Sequence, residues 1–376
     1  MGAAPRRVVV AANSAWNIVN FRIGLIRALE RAGYDAVVVA PPDAAAEPRM
    51  AELQVERVAV GIDRSGLNPV ADLRLLGNYR RILQRLRPAA FLGFTVKPNI
   101  YGCIAAGSLG IPAIANISGL GTAFIRPGPL RAFVTLLYRV GLSRAAVVFF
   151  QNPDDRALFI ERRMVRPEQT RLLPGSGVDL DRFAPSPQPA GPATFLLIAR
   201  LLGDKGVREF TAAAKSLRAQ IPDVRFQLLG PIDEGNRTAI AQAELDGWVA
   251  QGLVDYLGET DDVRPYVAAA SAVVLPSYRE GLPRTLLEAA AMARPLIATD
   301  APGCREVVDD GVNGFLCKVR DSASLANAMK KLAELSPSQR LEMGDAGRRK
   351  VENKFSEIVV IRAYLDALDT LAGHRS

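Results

Sequence analysis

The sequence predicts an α/β protein of two doubly wound domains, each a parallel sheet with helices on both faces. Two observations carry this prediction: apolar runs alternate with amphipathic helical segments twice along the chain, and a proline-rich segment, PSPQPAGP at 185–192, separates the two series. The chain has 376 residues, of which 49% are hydrophobic and 23% charged. This is a globular composition, and the length suits about two domains.

The first series begins with a buried strand, because RRVVVAA at 6–12 contains an unbroken run of valines. The helix predicted at 19–33 has apolar residues at helical spacing and ends at Gly33. The same reasoning predicts the remaining elements, which are strands at 34–41, 89–94 and 111–117 and helices at 73–88 and 98–110. We expect this domain to span residues 1–184.

The second series follows the proline-rich segment and predicts a domain over 185–355. Its strands are expected at 193–199, 224–230, 254–258, 272–277 and 295–300, and its helices at 207–220, 240–252, 263–270 and 283–293. The remaining residues, 356–376, form one more amphipathic helix, which is expected to pack back on the first domain. Ligands bind at the carboxyl ends of such sheets, so a cleft is expected between the two domains.

The composition excludes several kinds of chemistry. Cys103, Cys304 and Cys317 form no CxxC pair, so neither a disulfide framework nor a structural zinc site is expected. The one histidine, His374, excludes a histidine base, triad or metal ligand in the body of the protein. No secretory signal or uninterrupted apolar span of about 20 residues is recognisable, so we expect a cytoplasmic protein without a transmembrane helix.

The net charge of +8 is unevenly distributed, because residues 1–185 hold 24 basic and 14 acidic residues whereas the remainder holds 23 and 25. A basic domain can meet nucleic acid, an anionic membrane or a phosphorylated substrate, but no nucleic-acid recognition module is identifiable. Residues 126–150 favour a membrane surface, since their arginines alternate with apolar residues and no acid lies between them. The alternative is a buried helix with an arginine rim. The residues predicted to contact the membrane are Arg126, Arg131, Phe133 and Arg139.

The most informative motif is PSYREGLPRTLLE at 276–288, where a predicted strand ends and a helix begins near Pro283. Glu280 and Glu288 can accept hydrogen bonds from sugar hydroxyls, Gly281 lets the backbone approach a ligand, and N–H groups at the helix start suit a phosphate. From spacing alone, a capping role for Glu280 and a surface role for Glu288 explain the pattern equally well.

Two further motifs flank the proline-rich segment. RLLGDKG at 200–206 follows the first strand of the second domain, where Arg200 and Lys205 could clamp a diphosphate or form a solvated basic turn. LPGSGVDLDRF at 173–183 is interpreted as an interdomain segment, for which a structural role is favoured over contact with a nucleotide.

Together, RLLGDKG, GSGVDLDRF and the E-x7-E pair of Glu280 and Glu288 resemble the retaining glycosyltransferases of family GT4. These enzymes have the GT-B fold, in which two Rossmann-like domains face each other across a cleft. In the first domain, NSAWNIVNFRIGLIRAL, DRSGLNP, TVKPNIYG and NISGLGTAF resemble bacterial transferases, N-acetylgalactosaminyltransferases among them, that extend sugars on a polyprenyl-diphosphate carrier. The resemblance implies transfer from a UDP-sugar to a polyprenyl-diphosphate-linked saccharide at the cytoplasmic face of the inner membrane.

The resemblance also implies roles for matching positions. Arg200 and Lys205 would bind the donor diphosphate, Glu280 would contact the donor sugar, and Glu288 would hold the ribose. The implied catalytic residues are Glu280, Arg200 and Lys205; the donor site adds Asn13, Asn17, Gly230, Gly258, Glu259, Thr260, Gly281, Leu282, Pro283 and Glu288; and the acceptor side is Lys97, Ser118, Gly119 and Gly121.

The chain departs from many of these relatives in having Ser118 and no histidine where they carry a histidine or an acid. A retaining transfer by front-face attack tolerates this, because the leaving phosphate can take the acceptor's proton. No metal or cofactor is expected, since Arg and Lys can replace a metal, and the pairs Asp261–Asp262 and Asp309–Asp310 are interpreted as cap or loop residues.

Three alternatives stay open at this point. A sugar-nucleotide epimerase of the same fold would need acid–base residues in the cleft, commonly including a histidine. A glycosyltransferase with a soluble acceptor would share the donor site. A Rossmann oxidoreductase would need GxGxxG after the first strand, where this chain reads AANSAWN.

Overall fold

The computed structural model describes residues 6–63, 68–120 and 129–373. The chain forms two compact units, of which the first comprises Met1–Ser176 and Ile358–Ser376 and the second Gly177–Glu357. Three residues considered above, Gly121, Arg126 and His374, lie outside the described ranges. Within those ranges, no helix combines the length and the apolar character needed to cross a bilayer.

A seven-stranded parallel sheet forms the centre of the first unit. Successive residues of its valine-rich strand are fully buried on opposite faces: Val9 packs with Tyr79 in one core, and Val8 packs with Ile26 in another. The strands are β1 Arg6–Ala11, β2 Tyr34–Ala40, β3 Glu56–Ala59, β4 Ala90–Phe94, β5 Ala113–Ile117, β6 Val147–Phe150 and β7 Thr170–Leu172, in spatial order β3-β2-β1-β4-β5-β6-β7.

The helices of this unit pack against the two faces of the sheet and contribute residues to both cores. They are α1 Ala15–Phe21, α2 Ile23–Arg31, α3 Glu47–Ala51, α4 Pro69–Leu86, α5 Cys103–Ser108, α6 Pro129–Leu142, α7 Pro153–Glu161 and α14 Glu357–Gly373, with a π-helical turn over Pro98–Gly102. The continuous helix predicted at 19–33 is two helices, which part at Arg22. The guanidinium of Arg22 lies 4.0 Å from the centre of the Phe94 ring, and the residue is 3% exposed.

The C-terminal helix α14 completes the core of the first unit. Tyr364 is fully buried, and its ring centre lies 5.0 Å from that of Phe149 and 5.8 Å from that of Phe94. Its hydroxyl oxygen accepts a hydrogen bond from Asn116 Nδ2 at 2.6 Å. Burial raises the pKa of Tyr364 to about 12, so the hydroxyl stays protonated at neutral pH.

The second unit contains a six-stranded parallel sheet of the same winding. Its strands are β8 Thr194–Ile198, β9 Arg225–Leu229, β10 Asp255–Tyr256, β11 Ala272–Leu275, β12 Leu296–Thr299 and β13 Gly314–Cys317, in spatial order β10-β9-β8-β11-β12-β13. Its helices are α8 Val207–Arg218, α9 Gln242–Ala250, α10 Arg264–Ala269, α11 Arg284–Ala291, α12 Ser322–Glu334 and α13 Pro337–Lys354.

In both sheets the strand order reverses beside the first strand of the unit, between β1 and β4 and between β8 and β11. Loops that leave neighbouring strands at such a point turn to opposite faces of the sheet and leave a crevice, which is where ligands bind in open α/β sheets. In the first unit these loops carry Asn13 and Lys97. In the second unit they carry Arg200, Lys205 and Glu280.

The proline-rich segment lies within the second unit, where the fully buried Arg294 holds it. The guanidinium donates to the backbone oxygens of Ser186 at 3.0 Å and Pro187 at 2.6 Å, and to those of Val267 and Ala268, each at 3.0 Å. Desolvation lowers the pKa of Arg294 to about 10, so the group remains charged at neutral pH. One buried cation therefore fixes the segment to the start of β12 and the end of α10.

Replacing Arg294 by methionine should lower the free energy of unfolding by about 3 kcal/mol or more, because several buried carbonyl oxygens lose their donor. Urea unfolding followed by circular dichroism measures the change. Arg225→Met at the exposed first residue of β9 is the matched control and should change stability by less than about 0.5 kcal/mol. Equal losses in the two variants would contradict the anchoring role.

Candidate active site

Two loops at the β8–β11 reversal are joined through one carbonyl group. The backbone oxygen of Asp204 accepts hydrogen bonds from the Tyr278 backbone N–H at 3.0 Å and from Ser277 Oγ at 3.2 Å. Gly206 makes this approach possible: its φ is +75°, and a Cβ there would overlap the carbonyl oxygen of Pro276. Because of these contacts, the RLLGDKG loop lies directly against the PSYREG loop.

Lys205 and Glu280 form an ion pair between these two loops. Their side chains are 22% and 14% exposed, so the pair lies at a partly solvated edge of the unit. The Glu280 backbone N–H donates to the carbonyl of Pro302 at 3.0 Å, and Gly303, at φ +86°, allows that loop to approach the Glu280 carbonyl. The backbone thus fixes a cation suited to phosphate next to a carboxylate suited to hydroxyls.

Arg200 is placed differently from this pair. Its Nη1 lies 2.6 Å from Asp233 Oδ2, and its side chain is 54% exposed. Within the described residues, no hydrogen bond or ion pair joins Arg200 to Lys205 or Glu280. The structure therefore brings Lys205 and Glu280 together and leaves Arg200 on the same loop with a partner of its own.

Glu288 lies in the second turn of α11, where it pairs with Arg284 at 2.7 Å between Nε and Oε1. Its side chain is only 12% exposed. Burial raises the pKa of Glu288, and the neighbouring Arg284 opposes that rise without cancelling it. A nearly buried carboxylate of this kind favours a ligand that donates hydrogen bonds to it.

The loops after β9 and β10 are held together by their glycines. The Gly230 backbone N–H donates to the Gly258 carbonyl at 2.8 Å, and the Tyr256 hydroxyl donates to the Gly230 carbonyl at 3.1 Å. Thr260 Oγ1 accepts from the Asp262 backbone N–H at 3.1 Å, and Glu259 is exposed.

The other predicted donor residues lie in the turn before α11. Leu282 is buried, and Pro283 stands in the extended conformation as the N-cap residue. One member of each acidic pair of the second unit forms an ion pair with a basic side chain. Asp262 binds Arg264 at 2.7 Å, which lowers the pKa of Asp262, and Asp309 binds Lys350 of α13 at 2.8 Å. In the part of the chain that the structure describes, no three His, Cys, Asp or Glu side chains are grouped as metal ligands would be.

In the first unit, the loops at the β1–β4 reversal meet at Thr95. This β-branched residue has φ +70°, and its Oγ1 accepts a hydrogen bond from the Asn13 backbone N–H at 3.2 Å. Positive φ is costly for threonine, and such strain is concentrated at functional sites. On α1, Asn17 has a buried side-chain oxygen without a hydrogen-bond partner among the described residues.

Lys97 belongs to a buried polar cluster in the first unit. Its Nζ lies 2.8 Å from Asp72 Oδ1, and the Tyr101 hydroxyl donates to Asp72 Oδ2 at 2.9 Å. The Lys97 and Asp72 side chains are 12% and 9% exposed. After β5, Ser118 is exposed and Gly119 has φ +126°.

The sequence prediction did not identify the partners of the charged residues. Asp233, Arg284 and Asp72 pair with Arg200, Glu288 and Lys97, respectively. Only the i,i+4 spacing of Arg284 and Glu288 was a usable signal.

Gly206→Ala should destabilise the protein by about 1–3 kcal/mol more than Gly311→Ala does. Both glycines have similar φ angles, +75° and +74°, so both variants acquire the same backbone strain. A Cβ at Gly206 meets Pro276, whereas a Cβ at Gly311 meets nothing within 4 Å. Thermal or urea unfolding of the two variants gives the comparison, and equal losses would contradict the close approach of the two loops.

Comparison with known proteins places the chain among glycosyltransferases. Residues 192–334 match the family described as glycosyl transferases group 1, and residues 23–175 match the glycosyl transferase 4-like domain. The N,N'-diacetylbacillosaminyl-diphospho-undecaprenol alpha-1,3-N-acetylgalactosaminyltransferase of Campylobacter jejuni is 25% identical over 96% of this chain and 98% of its own. A putative colanic acid biosynthesis glycosyltransferase of Escherichia coli is 28% identical over 63% of this chain and 64% of its own.

Solved structures give the same fold. HepE of Anabaena, in complex with UDP and glucose, superposes with a TM-score of 0.80 over 97% of this chain and 100% of its own, at 19% identity. Sucrose-phosphate synthase of Thermosynechococcus elongatus superposes with a TM-score of 0.81 over 98% of this chain and 100% of its own, at 18% identity. The predicted two-domain architecture is confirmed, and the chain belongs to the glycosyltransferases of the GT-B fold, with a glycosyl transferase 4-like first part and a group 1 second part.

Proposed function

We propose that the protein is a retaining glycosyltransferase that moves a hexose or N-acetylhexosamine from a UDP-sugar to a polyprenyl-diphosphate-linked saccharide. The observation that carries the proposal is the Lys205–Glu280 pair at the β8–β11 reversal, followed by the nearly buried Glu288 on α11. The activity named for the Campylobacter relative supports the acceptor, and the UDP and glucose bound to HepE support the donor.

On the donor side, Lys205 and Arg200 offset the charge of the diphosphate, which grows as the bond to the sugar breaks. Each is already paired with a carboxylate, so the diphosphate takes over a cation that Glu280 or Asp233 holds in its absence. Glu280 accepts hydrogen bonds from the donor sugar, and Glu288 from the ribose. In the second unit, the loops that carry Gly230 and the residues around Gly258 complete the donor site.

In the transfer, the acceptor hydroxyl attacks the anomeric carbon of the donor sugar on the same face from which UDP departs. The bond from the anomeric carbon to the UDP oxygen breaks with its electrons passing to the diphosphate, and the acceptor oxygen bonds to the same carbon on the same face. The acceptor proton passes to the leaving phosphate oxygen, so the chemistry needs no histidine base. The protein contributes positioning and electrostatic stabilisation, and the proposal includes no metal.

On the acceptor side, Lys97 contacts the diphosphate of the lipid-linked saccharide, and Ser118 and the glycines after it approach the acceptor sugar. Asp72 offsets part of the Lys97 charge and fixes the position of its ammonium group. An acceptor with a polyprenyl tail lies in a membrane, so the enzyme works as a peripheral protein at the cytoplasmic face. The basic and apolar residues of α6 supply the contact.

Lys205→Ala and Glu280→Ala should each lower turnover by about two orders of magnitude or more, because each removes a group that acts on the charged transition state. Arg200→Ala should have a large effect in the same direction. The measurement is UDP release from a panel of UDP-sugars with a synthetic polyprenyl-diphosphate saccharide. Lys215→Ala on the exposed face of α8 is the matched control.

Near-normal turnover in the Lys205 variant would contradict the diphosphate assignment. The product separates this proposal from the epimerase alternative, since a transferase yields UDP and an extended lipid-linked saccharide whereas an epimerase yields only an altered UDP-sugar.

UDP binding should weaken as the pH falls toward the pKa of Glu288, so the midpoint should lie above the ordinary glutamate pKa of about 4.3. Burial raises the pKa of Glu288, and the protonated side chain offers the ribose fewer acceptor sites. A carboxyl whose pKa is raised by folding binds its proton more tightly in the folded state, so its protonation makes the protein more stable as the pH falls. Weaker UDP binding therefore does not result from unfolding caused by protonation of Glu288.

Calorimetric titration with UDP at several pH values measures this dependence. Glu288→Gln removes the titrating group and leaves the phosphate of UDP as it is, so the variant should show only the flatter profile of UDP itself. The same pH profile in both proteins would contradict the assignment of Glu288 to the ribose.

A further inference from the structure

The positive charge of the first unit comes from one stretch of the chain. Residues 73–153 contain ten Lys and Arg and no Asp or Glu, whereas the other residues of this unit, 1–72, 154–176 and 358–376, contain 15 Lys and Arg and 14 Asp and Glu. The stretch includes most of α4 and all of α5 and α6, whose side chains share one core on one face of the sheet. One helical layer of the first unit is therefore basic.

Helix α6 exposes an apolar surface on the side away from that core. Val134 and Tyr138 pack inward, and the opposite side presents Phe133, Leu136 and Val140, which are 44%, 53% and 51% exposed. A surface helix of a globular protein normally has polar residues there. Three large apolar side chains on one outward face indicate contact with an apolar phase.

An arginine-lined pocket of about 290 Å³ flanks this surface. Arg139 is fixed in it, because its guanidinium donates to the carbonyls of Arg162 at 3.0 Å and Arg163 at 3.2 Å. In the described ranges, Arg131, Arg139 and Arg162 have no carboxylate partner, and the buried Nε of Arg162 has no acceptor. The pocket lining is Arg131, Ala132, Thr135, Leu136, Arg139 and Arg162.

We propose that α6 docks on a bilayer of anionic phospholipid, with its apolar surface in the interface and one lipid phosphate in the arginine pocket. The inference rests on the membrane part of the proposed function and makes it specific; it does not depend on the sugar-transfer chemistry. Nucleic acid would satisfy the arginines but leave the apolar side chains in water, whereas an anionic bilayer satisfies both.

Vesicle flotation tests the apolar surface. The purified full chain should bind phosphatidylcholine vesicles containing 30% phosphatidylglycerol at least tenfold more tightly than pure phosphatidylcholine vesicles at low salt. Leu136→Asp should lower that binding at least tenfold. Leu341→Asp, an identical change at an exposed leucine of α13 in the second unit, should leave it unchanged. Circular dichroism confirms that both variants fold.

The pocket is tested with the double variant Arg131→Gln/Arg162→Gln. It should lose most of the preference for phosphatidylglycerol, whereas Arg171→Gln/Arg225→Gln, with the same loss of charge at exposed positions, should keep most of it. Equal loss in the two double variants would show that net charge alone drives binding and would overturn the pocket assignment.

Other outcomes overturn the docking proposal itself. These are equal binding by Leu136→Asp and Leu341→Asp, equal binding to both kinds of vesicle, or no binding to vesicles by a chain that self-associates through α6. Because the flotation assay contains no donor sugar, its failure is distinct from a failure of UDP release in the transfer assay.

Discussion

The candidate active site depends on the carbonyl oxygen of Asp204, which joins the loops after β8 and β11. Lys205 and Glu280 are far apart in sequence and meet because the Tyr278 backbone N–H and the Ser277 hydroxyl both donate to this carbonyl. The ion pair is therefore a consequence of the loop contact rather than its cause, and partly exposed pairs contribute little stability in any case. A ligand can take over Lys205 or Glu280 without separating the loops.

Four of the charged side chains assigned to the donor site, those of Arg200, Lys205, Glu280 and Glu288, already have a partner of opposite charge. Lys205 pairs with Glu280, Arg200 with Asp233, and Glu288 with Arg284. This arrangement lowers the cost of holding unsolvated charge before a ligand arrives, because an unpaired buried charge is far more costly than a paired one. A nucleotide-sugar brings both a diphosphate and hydroxyls, so it can engage the cation and the carboxylate of one pair together.

The alternation of apolar runs and helices was sufficient to predict nine of the thirteen strands and to place Lys205 and Glu280 at strand ends, because a parallel winding follows from the pattern itself. The strands β3, β6, β7 and β13, each of three or four residues, were not predicted. The division of the predicted helix 19–33 into α1 and α2 at Arg22 could not be predicted from local sequence. It accompanies a contact between Arg22 and Phe94, which lies at the end of β4. Asp233 and Asp72, the partners of Arg200 and Lys97, were not predicted either, because these ion pairs also join residues that are distant in sequence. Helix α4 begins at Pro69, earlier than predicted, because the Asn68 side chain caps its first turn.

The donor-site cations of the second unit are paired with carboxylates, whereas, among the described residues, the arginines beside α6 in the first unit are not. This difference suits the two groups of cations to different anionic partners. In the second unit, the donor-site cations have carboxylates within hydrogen-bonding distance, so their fields largely cancel at long range, and they act on a ligand only at contact. In the first unit, the arginines beside α6 lack such partners in the part of the chain that the structure describes, and residues 73–153 contain no acid to offset them. Their fields add over distances that approach the Debye length of about 8 Å at physiological salt. An extended anionic surface is the kind of partner that such a field attracts, whereas a single nucleotide requires the exchangeable pairs of the second unit.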